Sequence, residues 1–553
     1  MALDTPLTPP ELAARFRALG YWKDVTVFER FQAAAARYPH KIAIIDGERQ
    51  FTYSGLRATI DRIATHLLGF GIPRGGVVAV QNKNSVELAM MHLAAQRIGR
   101  LFMPLHDSWR EVEVEHCLRQ AQVSTLVIPG VYRDFDHVAM IDGMRARLPL
   151  LEHVFVIEHR KGSFRDFAEL LQPVEIDTAA LRAERPDPDE PATVMLSGGT
   201  TSLSKISRYS SNNLLNMLDA YAEASGYGPD EVSAAIAPAG TGATGYVFPI
   251  LTPLLHGATS VILTRWKDPE EAVQLILRHR CTHATAIPTQ LTLMVPYLER
   301  RKVEDFNLFK VCTNAGAPMP YATAEKVERL MGCKIQSLYG ATDGGTPTMT
   351  SSDDPREKRL STVGRVARGC ECELWDATGK PAPVGEPGEV VWRGPDKSWG
   401  YLGDPAATAA AFTADTFFYK SGDLGQFDAE GYLHIVGRIK DMILRGGRNV
   451  SPRSCEEPLI KHPAVLEVAV APMPDPVLGE RACAFVMLKP GMSLTFEEMV
   501  SYLKDCKIAV WQLPERLEIL DDMPRSTGGK IAKARLTELV TGKLKAEGKL
   551  RSG

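Results

Sequence analysis

Four short stretches hold residue types that together suit phosphate and carboxylate chemistry. The first, LSGGTTSLSKISRYS, spans residues 196–210. Gly198 and Gly199 let backbone amides approach a ligand closely, and Ser197, Thr200 and Thr201 add hydroxyl donors. Lys205 adds a positive charge, so the loop can hold polyphosphate oxygens. It lacks the GxxxxGK[ST] spacing of a Walker A loop. The second, SLYGATDGG, spans residues 337–345. Here Tyr339 could stack on a base, Gly340 turns the chain, Thr342 could reach a phosphate and Asp343 could ligate Mg²⁺. In the third, residues 419–441, Asp423 suits two ribose hydroxyls and Arg438 suits ribose or phosphate. The fourth, MPRSTGGKIAKARL, places Lys530 just past a Gly-Gly turn. Taken singly, each has a plain alternative: a polar surface turn or a surface lysine.

These stretches need a scaffold, and the chain supplies an alternating one. Apolar runs such as KIAIIDG, GVVAVQ and STLVIPG are separated by helical patterns such as TYSGLRATIDRIATHLLGFGI and SVELAMMHLAAQRIG. That rhythm implies parallel sheets covered by helices. Near residue 360 the texture changes to short strands with Gly and Asp turns: GEVVWRG, FFYKSGDLGQFD, GYLHIVGR. The last hundred or so residues read as a small α+β domain. The expected fold is therefore a large α/β N-terminal domain, residues 1–440, including a small β-barrel-like subdomain. A small mobile α+β C-terminal domain follows, residues 441–553. With 553 residues the chain is long enough for two domains.

Composition narrows the function. The net charge of −3 forecasts no grip on nucleic acid or anionic lipid. Nine scattered cysteines without a CxxC pair read as reduced thiols of a cytoplasmic protein. The opening residues lack the apolar core of a signal peptide, and no run of apolar residues is long enough to span a membrane.

The four stretches in this order resemble the core motifs of the adenylate-forming superfamily: acyl-CoA synthetases, nonribosomal adenylation domains and firefly luciferase. The opening ELAARFRALGYWKD…IAIIDGERQFTYSGL is similar to the 2,3-dihydroxybenzoate-AMP ligase branch, which includes cyclohexanecarboxylate-CoA ligases. The resemblance implies ATP, Mg²⁺ and coenzyme A as cofactors and two half-reactions. A carboxylate attacks the ATP α-phosphate, and a thiol then attacks the acyl-adenylate. It makes Lys530 the lysine bridging carboxylate and α-phosphate, Asp441 the hinge, and Gly446–Gly447 the loop beside a pantetheine tunnel. Ala315, Gly316 and Ala317 match the segment along adenine and the acyl pocket. It also implies that an acetyltransferase could silence Lys530, since acetylation removes its charge.

The chain departs from the family pattern at Ser202 and Ser204 in the first loop, and at Asp343, where glutamate is usual. Catechol-type relatives place a His-Asn pair where Thr241 and Gly242 stand. The candidate acid wall is thus Gly240, Thr241, Gly242, Gly245 and Tyr246, with Gly340. Without the amide a phenol hydroxyl loses its partner, which favours cyclohexane-1-carboxylate. An aryl acid-AMP ligase loading a phosphopantetheinyl carrier protein is the alternative. Two rivals stand beside these. Residues 240–245, GTGATG, spell a Rossmann fingerprint for an NAD(P)-dependent oxidoreductase, although Pro249 and Pro253 fall in the helix that should follow. A degenerate, non-catalytic nucleotide binder is the other.

Overall fold

The computed structural model describes residues 8–157, 163–197, 203–317, 319–397, 400–525 and 530–550. Two parallel-rich sheets organise the N-terminal part. In the seven-stranded sheet the order is Ile206–Ser210, Pro191–Leu196, Leu101–Leu105, Val77–Gln81, Val123–Pro129, His153–Ile157 and Arg165–Asp166. Only the Pro191–Leu196/Ile206–Ser210 pair is antiparallel. VVAVQ and LFMPL are buried at every position, as strands covered on both faces must be. The nine-stranded sheet is parallel from Lys334–Ala341 through Val311–Ala315, His283–Ala286, Val232–Ala235 and Thr259–Ile262 to Ile42–Asp46, with antiparallel edges.

One apolar cluster joins the two sheets, with Val78 and Val80 from one, Ala235 and Ile262 from the other, and helices between. Helix Val86–Arg97 lies there, buried from Val86 through Gln96. A helix this enclosed must satisfy its polar residues internally. Glu87 pairs with Arg49, 2.5 Å away. Gln96 donates to the Ala192 and Arg100 carbonyls. His92 bonds Tyr246 Oη at 2.8 Å and Thr193 Oγ1 at 2.9 Å.

Burial holds the His92 imidazole neutral, its pKa driven down to about 3. The unfolded chain takes up a proton near pH 6.5, whereas the folded one does not until near pH 3. Stability is therefore complete above pH 6.5 and falls as pH drops toward 3, by up to about 1.4 kcal/mol per unit. We expect His92→Gln, which has no such proton, to lose about 2 kcal/mol less than the wild type between pH 7 and pH 5 in urea unfolding. Equal losses in both proteins would remove His92 from the acid response.

Beyond the large sheets a four-stranded antiparallel sheet runs Glu371–Trp375, Gly388–Arg393, Tyr419–Phe427, Leu433–Arg438. The C-terminal sheet starts at Ile443–Arg445 and adds Arg448–Val450, Val465–Asp475, Gly479–Leu488 and Arg516–Ile519. Helices pack it into two apolar clusters of its own. Among the described residues no helix is long and apolar enough to cross a membrane.

Candidate active site

The first loop joins the antiparallel strands Pro191–Leu196 and Ile206–Ser210. At its base Ser197 N donates to Lys205 O and Lys205 N donates to Ser197 Oγ, both at 3.1 Å. Lys205 Nζ stands 4.7 Å from the Tyr401 ring centroid. Gly198, Gly199, Thr200, Thr201 and Ser202 lie outside the described residues.

The second stretch ends strand Lys334–Ala341 and turns back into Gly345–Met349. Gly340 is confined there, since a Cβ would meet Gly345 O at 2.3 Å. Tyr209 Oη donates to Thr342 O at 2.8 Å. Asp343 is buried beneath the turn, and both its carboxylate oxygens accept tyrosine hydroxyls: Tyr401 at 2.5 Å and Tyr419 at 3.0 Å. Burial first, then the Asp343 charge, keeps both phenols protonated, so they remain donors. Each carboxylate oxygen keeps a further lone pair. A single carboxylate completed by nucleotide phosphates and water fits Mg²⁺, which rarely uses an all-protein cage.

In the third stretch Asp423 and Arg438 face each other across adjacent strands. Arg438 Nε lies 2.9 Å from Asp423 Oδ1, and Tyr339 Oη donates to Oδ2 at 2.8 Å. The carboxylate is thereby aimed and kept partly exposed. Tyr339 packs edge-on to Trp392, so its hydroxyl positions Asp423 while its ring forms part of the wall. Ala315 ends a parallel strand and is buried, and Gly316 follows with φ +89°. Ala317 is half-buried beside it.

Gly240 lies in a tight segment, Ala239–Thr241, that Gly242 caps; Asn84 pins it by donating to Ala237 O and accepting from Ala239 N. Nothing is described of the Thr241 side chain. A Cβ on Gly242 would lie 3.7 Å from Thr342 Cγ2, so this wall borders the second stretch. Gly245 and Tyr246 fall in a π-helix, Ala243–Leu251, and both are buried. Tyr246 bonds His92 and supports the wall from behind. π-Helical segments concentrate at functional sites. A dinucleotide fingerprint needs an α-helix opening at its glycines, and this segment with Pro249 inside is not one.

Asp441 closes a short 3₁₀ turn, Ile439–Asp441, just before the C-terminal sheet. Gly446 and Gly447, with φ +55° and +81°, turn the hairpin that follows. Lys530 is exposed to solvent, yet neighbouring protein still partly desolvates its ammonium. That desolvation, helped by Arg438 and Lys440, lowers its pKa, while Asp423 and Asp343 oppose the shift. Lys530 thus lies within electrostatic reach of Asp343 in the second stretch and of Asp423 and Arg438 in the third.

The sequence reading did not single out Tyr401 and Tyr419. Both lie within aromatic Gly-rich runs, GYL and FFYKSGD, but nothing local links them to Asp343. It also missed Asp396 and Lys397, buried beneath the same turn. Asp396 accepts from Thr346 N at 2.7 Å, and Lys397 Nζ donates to Trp392 O at 3.1 Å.

Comparison with known proteins gives this geometry a family. The AMP-binding enzyme family matches residues 31–402, and the AMP-binding enzyme C-terminal domain matches residues 454–530. The chain belongs to the AMP-binding enzyme family. It is 32% identical to 2-hydroxy-7-methoxy-5-methyl-1-naphthoate–CoA ligase of Streptomyces carzinostaticus, covering 96% of this chain and 95% of that protein. It is also 32% identical to medium-chain fatty-acid–CoA ligase of Escherichia coli K12, covering 94% and 91%. Its structure is similar to ATP-bound MatB from Rhodopseudomonas palustris, with TM-score 0.82 and 26% identity over 94% of this chain and 99% of that one. As an AMP-binding enzyme the chain is an ATP-dependent, adenylate-forming acid–thiol ligase, of the acyl/aryl-CoA or aryl acid-AMP type.

Proposed function

We propose that this AMP-binding enzyme adenylates a compact cyclic carboxylic acid and passes the acyl group to coenzyme A. The observation that carries the reading is the Asp423–Arg438 ion pair with Lys530 in electrostatic reach of both and of Asp343. Carboxylate is a poor nucleophile, and negative charge gathers as pyrophosphate leaves, so positioning and positive charge are the main needs. Asp423, aimed by Arg438 and Tyr339, holds the ribose. Lys530 brings its charge to the α-phosphate, and Thr342 and Lys205 hold the other phosphates. Mg²⁺, when bound at Asp343, neutralises phosphate charge. The C-terminal domain, residues 441–553, then turns about Asp441 and brings Gly446–Gly447 to the site in place of Lys530. The thiol attacks the acyl carbonyl, the acyl–phosphate bond breaks and AMP leaves.

The glycines of the acid wall support cyclohexane-1-carboxylate, which needs no polar partner. A second reading, an oxygenated aryl acid, is supported by the naphthoate ligase among the relatives. Mass spectrometry of thioesters, after incubation with ATP, Mg²⁺ and an acid panel, tests both acid and acceptor. The panel holds cyclohexanecarboxylate, benzoate, salicylate, 2,3-dihydroxybenzoate and octanoate. Acyl-CoA from a ring acid is the expected product. Loading of a phosphopantetheinyl carrier protein without acyl-CoA would reassign the acceptor, and octanoyl-CoA alone would overturn the ring.

A further inference from the structure

His106 follows strand Leu101–Leu105 and sits at the carboxyl end of the central parallel sheet, where open α/β sheets bind ligands. Its surroundings are built rather than incidental. Gln81 Nε2 donates to the His106 and Trp109 carbonyls, both at 3.0 Å. The His106 side chain is only 8% exposed. It lies flat against Gly240: a Cβ there would meet His106 Cα, Cγ and Cδ2 at 2.6 Å. Glycine at 240 is what admits the ring into the acid wall.

The hydrogen bonds fix where the proton is. Ser108 N donates to His106 Nδ1 at 3.1 Å, and Ser108 Oγ is 2.8 Å from the same nitrogen. A neutral ring accepting there carries its proton on Nε2. Asp107 Oδ1 lies 3.1 Å from the same nitrogen. With Nδ1 accepting the Ser108 backbone N–H, Nε2 is the ring's donor. Yet Nε2 is buried and has no hydrogen-bond partner among the described residues. A buried donor without an acceptor is destabilising, so such a group is retained where something else supplies the acceptor.

We infer that His106 Nε2–H is the acid-specificity donor of this enzyme and takes an oxygen borne by the ring of the acid substrate: a hydroxyl, oxo or ether group. The inference rests on the proposed function, because it takes the Ala239–Gly242 segment as the acid wall. It also narrows that function, since an oxygenated ring then fits better than the bare one. The missing amide at position 242 is offset by a donor from the loop that follows strand Leu101–Leu105.

The test uses 5′-O-(N-acylsulfamoyl)adenosines, which mimic the acyl-adenylate. Matched pairs carry cyclohexanecarbonyl or benzoyl groups with and without a hydroxyl or oxo group at each ring position, and calorimetry gives each Kd. In the wild type at least one oxygenated isomer should bind about tenfold tighter than its bare ring. His106→Phe should shrink that ratio to within about twofold, while His106→Gln, which keeps a donor, retains most of it. Bare-ring analogues report whether the variants still fold a working site. A wild type that binds every oxygenated analogue within about twofold of its parent overturns the inference, as a water on Nε2 would produce. So does a preference that survives in His106→Phe. A change confined to the KM for coenzyme A would move the acceptor to a pantetheine amide and overturn the acid assignment. No binding by any analogue would sink the adenylating reading itself, a result distinct from unselective binding.

Discussion

Replacing Lys530 with alanine is expected to lower acid-dependent pyrophosphate release by about 10²–10³-fold, while thioester formation from preformed acyl-adenylate stays within about threefold of wild type. The asymmetry follows from geometry. Lys530 lies within electrostatic reach of Asp423, Asp343 and Arg438, so on the proposed mechanism its charge serves the step in which pyrophosphate leaves. In the thiol step negative charge gathers on the phosphate as AMP leaves, but after the proposed turn about Asp441 Lys530 no longer stands at the site to meet it. Pyrophosphate release and single-turnover thioester formation read the two steps separately. Equal loss in both would mean that Lys530 acts on the fold or on both reactions.

Asp343→Asn should lower kcat/KM for Mg·ATP by about 10²-fold and raise the Mg²⁺ needed for half-maximal rate, with the KM for the acid within about twofold. The amide is nearly the shape of the carboxylate, so the turn persists. It lacks the charge and offers only one acceptor oxygen where Tyr401 and Tyr419 now use two. Magnesium titrations at saturating acid check the prediction. A variant with an unchanged magnesium requirement would make Asp343 a structural acceptor for the two tyrosines and nothing more.

How far the sequence reaches can be seen at these two residues. Lys530 and Asp343 stood out because each sits in a short motif, and four motifs in order identify a family. The alternation of apolar runs and helical patterns likewise announced the parallel sheets, since VVAVQ and LFMPL have no polar face to expose. What surrounds the motifs is different. Tyr401 and Tyr419 lie 58 and 76 residues from Asp343, and His92 lies 154 residues from Tyr246. Such pairs are made by packing, and no local periodicity encodes them. Tyr339 shows the same limit. An aromatic in a nucleotide motif suggests stacking, but the fold also gives its hydroxyl to Asp423, 84 residues away. The GTGATG run misleads for a related reason. Its glycines meet the spacing of a dinucleotide loop, while the π-helix and His106 against Gly240 show that they make room for side chains.

The measurement that tests the central claim most directly is AMP formation by the purified enzyme with ATP and Mg²⁺, with and without each acid of the panel and with coenzyme A present. The account predicts AMP and pyrophosphate in equal amounts, dependent on a ring acid and matched by acyl-CoA. ATP binding without AMP from any acid, or hydrolysis to ADP regardless of acid, would contradict it.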